Sequence, residues 1–136
     1  MRAYQQGNHA NLDAHVRRKT LAAVALSSPV VAESLRGRVA YALSAEPPQF
    51  LIAHDYLRQA IEQLNGFTWI YPDAKAAAAF AEMKKKFPKH NRLPDMMIAA
   101  IAIAGDHIVV TRNRKDFADL LPPLQLQNWI DDPPVN

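Results

Sequence analysis

Three carboxylates stand out in this sequence by where they fall. Asp95 opens a nearly uncharged run, LPDMMIAAIAIAGDHIVVTRNRKDF at 93–117, and Asp116 closes it just past Thr111, Arg112 and Asn113. Glu33 lies one helical turn beyond a short apolar run at 23–27. Hard oxygen donors of this kind suit Mg2+ or Mn2+, which take a few carboxylates and leave their other positions to water and phosphate. A pair of such ions roughly 3.5–4 Å apart activates a water and stabilises the leaving oxygen of a phosphodiester. Metal-assisted hydrolysis is the chemistry to which the pattern points.

Each acid also has a plainer reading. Asp95 suits a helix N-terminus through the dipole, worth about 0.3–1 kcal/mol. Glu33 alone reads as a half-exposed helix carboxylate, and Asp116 alone as a surface acid in a capping turn. Asp119, Asp131 and Asp132 carry nothing that lifts them above a solvated surface role. The five histidines lack metal-ligand spacing, and Lys84, Lys85 and Lys86 read as a solvated helix end that complements the dipole. Arg36 and Arg38, flanking Gly37 beside Glu33, are better placed to meet phosphates.

The elements that must position these groups alternate along the chain. Spacing predicts helices over 10–22, 28–43, 49–64 and 94–104, with an alanine-rich helix opening at Pro72-Asp73 and ending at Pro88. Ser28 is the expected N-cap of the second helix, with Pro29 its first helical residue. Val31, Leu35, Val39 and Leu43 form its expected apolar stripe. Short strands are predicted at 23–27, 67–71 and 107–112, the last fully buried, with an edge strand at 124–130. A short helix is expected over 115–121, before Pro122-Pro123, and a frayed tail at 131–136. Alternating helices and short apolar strands predict an α/β sandwich with a mainly parallel central sheet. In such sheets the site lies at the carboxyl ends of the strands. Glu33 and Asp116 fall there, while Asp95 sits at a helix mouth.

Bulk properties narrow the field. The 136 residues are 49% hydrophobic and 21% charged, which suits one domain with a real core. No cysteine is present, excluding disulfides and thiolate metal sites and fitting a reducing cytoplasm. No apolar run approaches the length of a membrane span, and the opening residues lack the apolar core of a signal peptide. The net charge of +3 permits a nucleic-acid partner without requiring one.

The block PDMMIAAIAIAGDHIVVTRNRKDF resembles the C-terminal half of a PIN-domain ribonuclease of the VapC toxin type: an Asp, an Ile-Ala-Ala helix, a short apolar strand, then Thr-x-Asn-x-x-Asp-Phe. SSPVVAESLRGR resembles the family's second acidic element, YPDAKAAAAFAEM the segment between, and LQLQNWI the closing strand. The resemblance spans essentially residues 3–130, read as one PIN-like domain over 1–130 with a tail at 131–136. It implies a three-layer α/β/α sandwich and an Mg2+- or Mn2+-dependent endoribonuclease, the toxin of a type II toxin–antitoxin pair. It further implies a homodimer blocked by a cognate VapB-type antitoxin. Carried over by position, Glu33, Asp95 and Asp116 are metal ligands, with Thr111 and Asn113 orienting water and carboxylates. Arg36, Arg38 and Arg112 would then line the RNA path.

One departure stands out. Family members begin with an apolar strand ending in Leu-Asp-Thr, directly before a segment like AYQQGN, and here that segment follows Met1-Arg2. The expectation is a chain lacking the first strand and its acid, through a misassigned start in preference to a true truncation. The rival functional reading is a truncated, catalytically impaired protein that titrates antitoxin as a decoy. A DNA-bound regulator ranks last, for want of a helix-turn-helix pattern.

Overall fold

The computed structural model describes residues 10–18 and 24–133. Five helices and four short strands follow one another along it: α1 (Ala10–Arg18), β1 (Ala25–Ser27), α2 (Ser28–Ser44), α3 (Phe50–Leu64), β2 (Thr68–Ile70), α4 (Ala74–Lys86), α5 (Leu93–Gly105), β3 (Val109–Val110) and β4 (Leu126–Gln127). The expected continuation of the first helix to residue 22, residue 23 of the first strand, the opening segment and the last residues of the tail lie outside the described residues.

Helix boundaries follow local chemistry. The Asp73 side chain accepts a hydrogen bond from the Ala76 N–H at 2.8 Å, capping α4, whose alanines favour helix at little entropic cost. Lys84, Lys85 and Lys86 occupy its last turn, where cations complement the dipole. The cap of α2 is Ser27, one residue earlier than expected, so Ser28 and Pro29 are both helical. Helix α5 runs through Gly105, and its chain reversal falls on Asp106, which takes a left-handed conformation with φ 54°.

Both strand pairs are parallel, as an α/β fold requires. Ala25, Leu26 and Ser27 pair with Thr68, Trp69 and Ile70, and Val109 and Val110 pair with Leu126 and Gln127. Among the described residues these are two separate two-stranded ladders, and no single central sheet joins them. The third predicted strand shrinks to two residues. It is half-buried, and Ile108 beside it is 50% exposed. The short helix expected over 115–121 is a 3-10 turn at Arg114–Asp116 followed by further turns. Pro122 and Pro123 lead into another 3-10 turn, which shortens the edge strand to Leu126–Gln127.

Three apolar clusters hold these elements. The largest joins α5 to α4 and to the turns after β3, through Met96, Ala99, Ala100 and Ala102 against Met83, Phe117, Leu120 and Leu121. Gln125 fastens the end of α5, its side-chain amide donating to the Ala102 and His107 carbonyls at 3.1 and 3.0 Å. A second cluster packs Leu12, Val24 and Trp129 with Val110 and Phe67, and a third packs Leu26, Val31 and Leu64. The stripe expected on α2 is buried only at its start: Val31 is buried, Val39 is 39% exposed and Leu43 is 83% exposed.

The first residues of the expected tail are tied down. Asn11 donates to the Ile130 and Asp131 carbonyls at 3.1 Å each, His15 bonds the Asp132 carbonyl at 2.9 Å, and its ring stacks on Trp129. Asn128, itself buried, accepts from the Ile130 and Asp131 N–H groups and donates to the Asp131 carboxylate at 2.8 Å. An Asx-type turn therefore fixes a segment that composition alone marks as loose.

Candidate acidic site

Asp95 is the one buried carboxylate among the described residues, with 4% of its surface exposed. The sequence puts it there by ordinary means. Pro94 sits in the first turn of α5, where its missing N–H costs nothing. The following residues, Met96, Ala99 and Ala100, pin the helix into the core. The first turn cannot shift without moving that core, so the carboxylate stays in an apolar wall.

Burial disfavours its charged form and raises its pKa above the ordinary 3.8; Arg92 opposes the shift, Asp116 and Glu33 reinforce it, and His90 opposes it. Asp116, in the turn after β3, and Glu33, on α2, therefore bear on Asp95 of α5 through charge. Asp116 closes the 3-10 turn that follows β3, and Glu33 lies half-buried one turn past β1. The three acids do not form a tight cluster. Among the described residues, no three His, Cys, Asp or Glu side chains stand close enough together to hold a metal ion.

Between two of the acids stands a residue that sequence reasoning left in a polar loop. Arg92, the cap residue of α5, places its Nε 2.7 Å from Asp95 Oδ2 and donates from Nη1 to Asp116 Oδ2 at 3.2 Å. The contact to Asp95 is close in distance but lacks hydrogen-bond alignment, so Asp95 Oδ2 remains a buried oxygen with no hydrogen-bond partner among the described residues. Ser27 Oγ, at the carboxyl end of β1, is the other such atom. The three-residue spacing of Arg92 and Asp95 at a helix start is the signal that could have revealed the pair.

The supporting residues divide. Thr111 Oγ1 accepts from the Asn113 N–H at 3.1 Å, and the Asn113 carbonyl accepts from the Asp116 N–H at 3.1 Å. These two residues shape the turn that delivers Asp116. Arg112 is engaged elsewhere, paired with Asp131 at 3.2 Å, and Arg114 with Asp132 at 2.9 Å. Arg36 is exposed on α2, and Arg38 lies over the Tyr56 ring of α3, 5.9 Å from its centroid.

The acids here are hard oxygen donors, and buried Asp95 Oδ2 has an ion-pair contact to Arg92 but no aligned hydrogen bond, so the donor types suit Mg2+ or Mn2+ even though no three of them are gathered among the described residues. The model of the PIN domain family matches residues 4–120, most of the chain, and the protein belongs to that family. PIN domains are generally nucleases and typically use divalent metals, so nucleic acid is the substrate class. No curated protein and no solved structure matches the chain significantly. No helix among the described residues is long and apolar enough to cross a membrane.

Proposed function

We propose that the chain is a divalent-metal-dependent endoribonuclease, the VapC-type toxin of a type II toxin–antitoxin pair, acting in the cytoplasm. The observation that carries this reading is the buried Asp95 carboxylate, unsatisfied at Oδ2 and electrostatically linked to Asp116 and Glu33, inside a PIN-domain match. Glu33, Asp95 and Asp116 would hold Mg2+ or Mn2+, which supplies water activation and charge neutralisation at a phosphodiester. Asp95 contributes a fixed charge, because α5 cannot move without disturbing the core. Thr111 and Asn113 set the height of Asp116 through their turn. Arg36 and Arg38 attract the RNA backbone, a salt-sensitive contribution. Arg112 joins them only by releasing Asp131.

The α2–α3 hairpin supports the partner expectations. Leu43, Phe50, Leu51 and Ile52 are 83%, 61%, 76% and 44% exposed, an apolar surface of the kind that a second copy or an antitoxin helix covers. The test is cleavage of structured RNAs with Mg2+ or Mn2+ by the wild type and by Asp95→Asn. Metal-dependent cleavage lost in the variant supports the assignment; cleavage retained in the variant removes it.

The looseness of the acid set favours one second reading, a protein that captures antitoxin without cutting RNA. Capture of the cognate antitoxin by a chain that cleaves nothing with either metal would select it.

A further inference from the structure

The geometry points to Arg92 as a built-in counter-ion that occupies the cation position between Asp95 and Asp116 and is displaced when a divalent metal binds. This rests on the metal-site reading above and adds to it a step internal to this chain.

Three observations carry the inference. First, one guanidinium spans two carboxylates from different elements, reaching Asp95 Oδ2 with Nε and Asp116 Oδ2 with Nη1. One positive charge thus compensates both carboxylates at once. Second, the two contacts are unequal. Asp116 receives an aligned hydrogen bond, whereas Asp95 Oδ2 has charge compensation only. A purely structural arginine fork would satisfy both oxygens, since that geometry is what the guanidinium offers best. Third, the partners differ in exposure. Asp95 has a side chain 6% exposed, whereas the Arg92 side chain is 54% exposed, on the rim. The carboxylate stays and the arginine can leave.

The energetic logic follows. With no metal, two nearby acids repel and the buried one is poorly solvated; a single positive charge between them relieves both problems. A divalent ion brings twice the charge and takes oxygen lone pairs directly. It therefore competes with the guanidinium for the same two oxygens, and the rim position lets Arg92 swing to water.

The test uses the full chain and Mg2+ alone, with no RNA. Calorimetry gives the Mg2+ affinity of wild type, Arg92→Gln, Arg92→Lys and Asp95→Asn. In parallel, the side-chain Nε–H signal of Arg92 is followed by NMR, assigned by its loss in Arg92→Gln. We expect Arg92→Gln to tighten Mg2+ binding by roughly fivefold, as loss of a competing ion pair should. Arg92→Lys, which keeps the charge but loses the fork, should fall between the two. The Arg92 signal should move toward that of solvent-exposed arginines, with a midpoint at the measured Mg2+ affinity. An Arg92 signal unmoved while Mg2+ binds would overturn the displacement, as would weaker binding by Arg92→Gln. Mg2+ binding that survives in Asp95→Asn, or is absent from both wild type and Arg92→Gln, would overturn the metal-site reading itself and the inference with it.

Discussion

Helix α5 and the α2–α3 hairpin treat apolar side chains in opposite ways. Helix α5 buries Met96, Ala99, Ala100, Ile101 and Ala102, together with a carboxylate. The hairpin buries Val31, Ala42, Ala53, Ala60 and Leu64 but leaves Leu43, Phe50 and Leu51 largely in water. The first arrangement fixes a charge in space at the cost of desolvating it. The second leaves a surface with something to gain by being covered. One region holds a charge still, and the other presents large apolar side chains to water.

The comparison can be broken most severely at Asp95. Asp95→Asn keeps the shape of α5 while removing the charge. RNA cleavage should fall at least about a hundredfold, the upper range for loss of even an indirect metal contact. Thermal unfolding of the metal-free variant should occur no lower than that of wild type, because a costly buried charge has gone. A variant that cuts normally but melts early would make Asp95 a structural residue.

Packing gives the next contrast. Met96 has no exposed surface, so Met96→Ala should cost about 2–5 kcal/mol in denaturant unfolding. Leu43→Ser, at 83% exposure, should change stability by no more than about 0.5 kcal/mol. If the hairpin face is an interface, that same change should instead weaken self-association in sedimentation. Equal losses of monomer stability at the two positions would erase the distinction between core and adhesive face.

Acidity separates Asp95 from Asp131, whose pKa values move in opposite directions. Burial raises the pKa of Asp95 above 3.8, so the folded chain holds a proton that the unfolded chain has lost. Through that window the metal-free protein should lose stability as pH rises, levelling off once Asp95 is ionised in both states. Asp131 runs the other way. Hydrogen bonds from Asn128 and then Arg112 lower its pKa below 3.8, so its contribution is present above that value and lost as pH falls through the folded one. Unfolding measured across the acid range should show Asp95→Asn flattening the first slope and Asp131→Asn the second.

What the sequence disclosed and what it concealed follow from how local each signal is. Helices α3, α4 and α5 were legible because proline, asparagine and aspartate mark their ends within a few residues. The places of Asp95 and Asp116 in the fold were legible because the two acids bracket a helix and a strand. Arg92 was hidden in a polar loop, since its role exists only when the turn after β3 folds back against α5. The ties of Asp131 and Asp132 were hidden for the same reason, depending on arginines some twenty residues away. The fading stripe of α2 was misread because fourfold spacing says which residues share a face, not whether anything lies against it.

The smallest effect concerns how α5 ends. Gly105 invites the reading that it provides the left-handed stop, yet the left-handed residue is Asp106, at φ 54°. A side chain there meets the carbonyl crowding that makes this conformation costly for all but glycine, with Asp and Asn the tolerated exceptions. Asp106→Gly should therefore stabilise the chain by about 0.5–1 kcal/mol, partly offset by the greater freedom of glycine when unfolded. Gly105→Ala should do the reverse, because a methyl group at Gly105 would run into the His107 ring. Paired melting curves for the two variants, shifted in opposite directions, would place the helix stop at Asp106. A stabilising Gly105→Ala would instead mean that His107 yields readily, with this end of α5 still held by the His107 N–H on the Ala102 carbonyl and by Gln125, which bonds the Ala102 and His107 carbonyls from outside the helix.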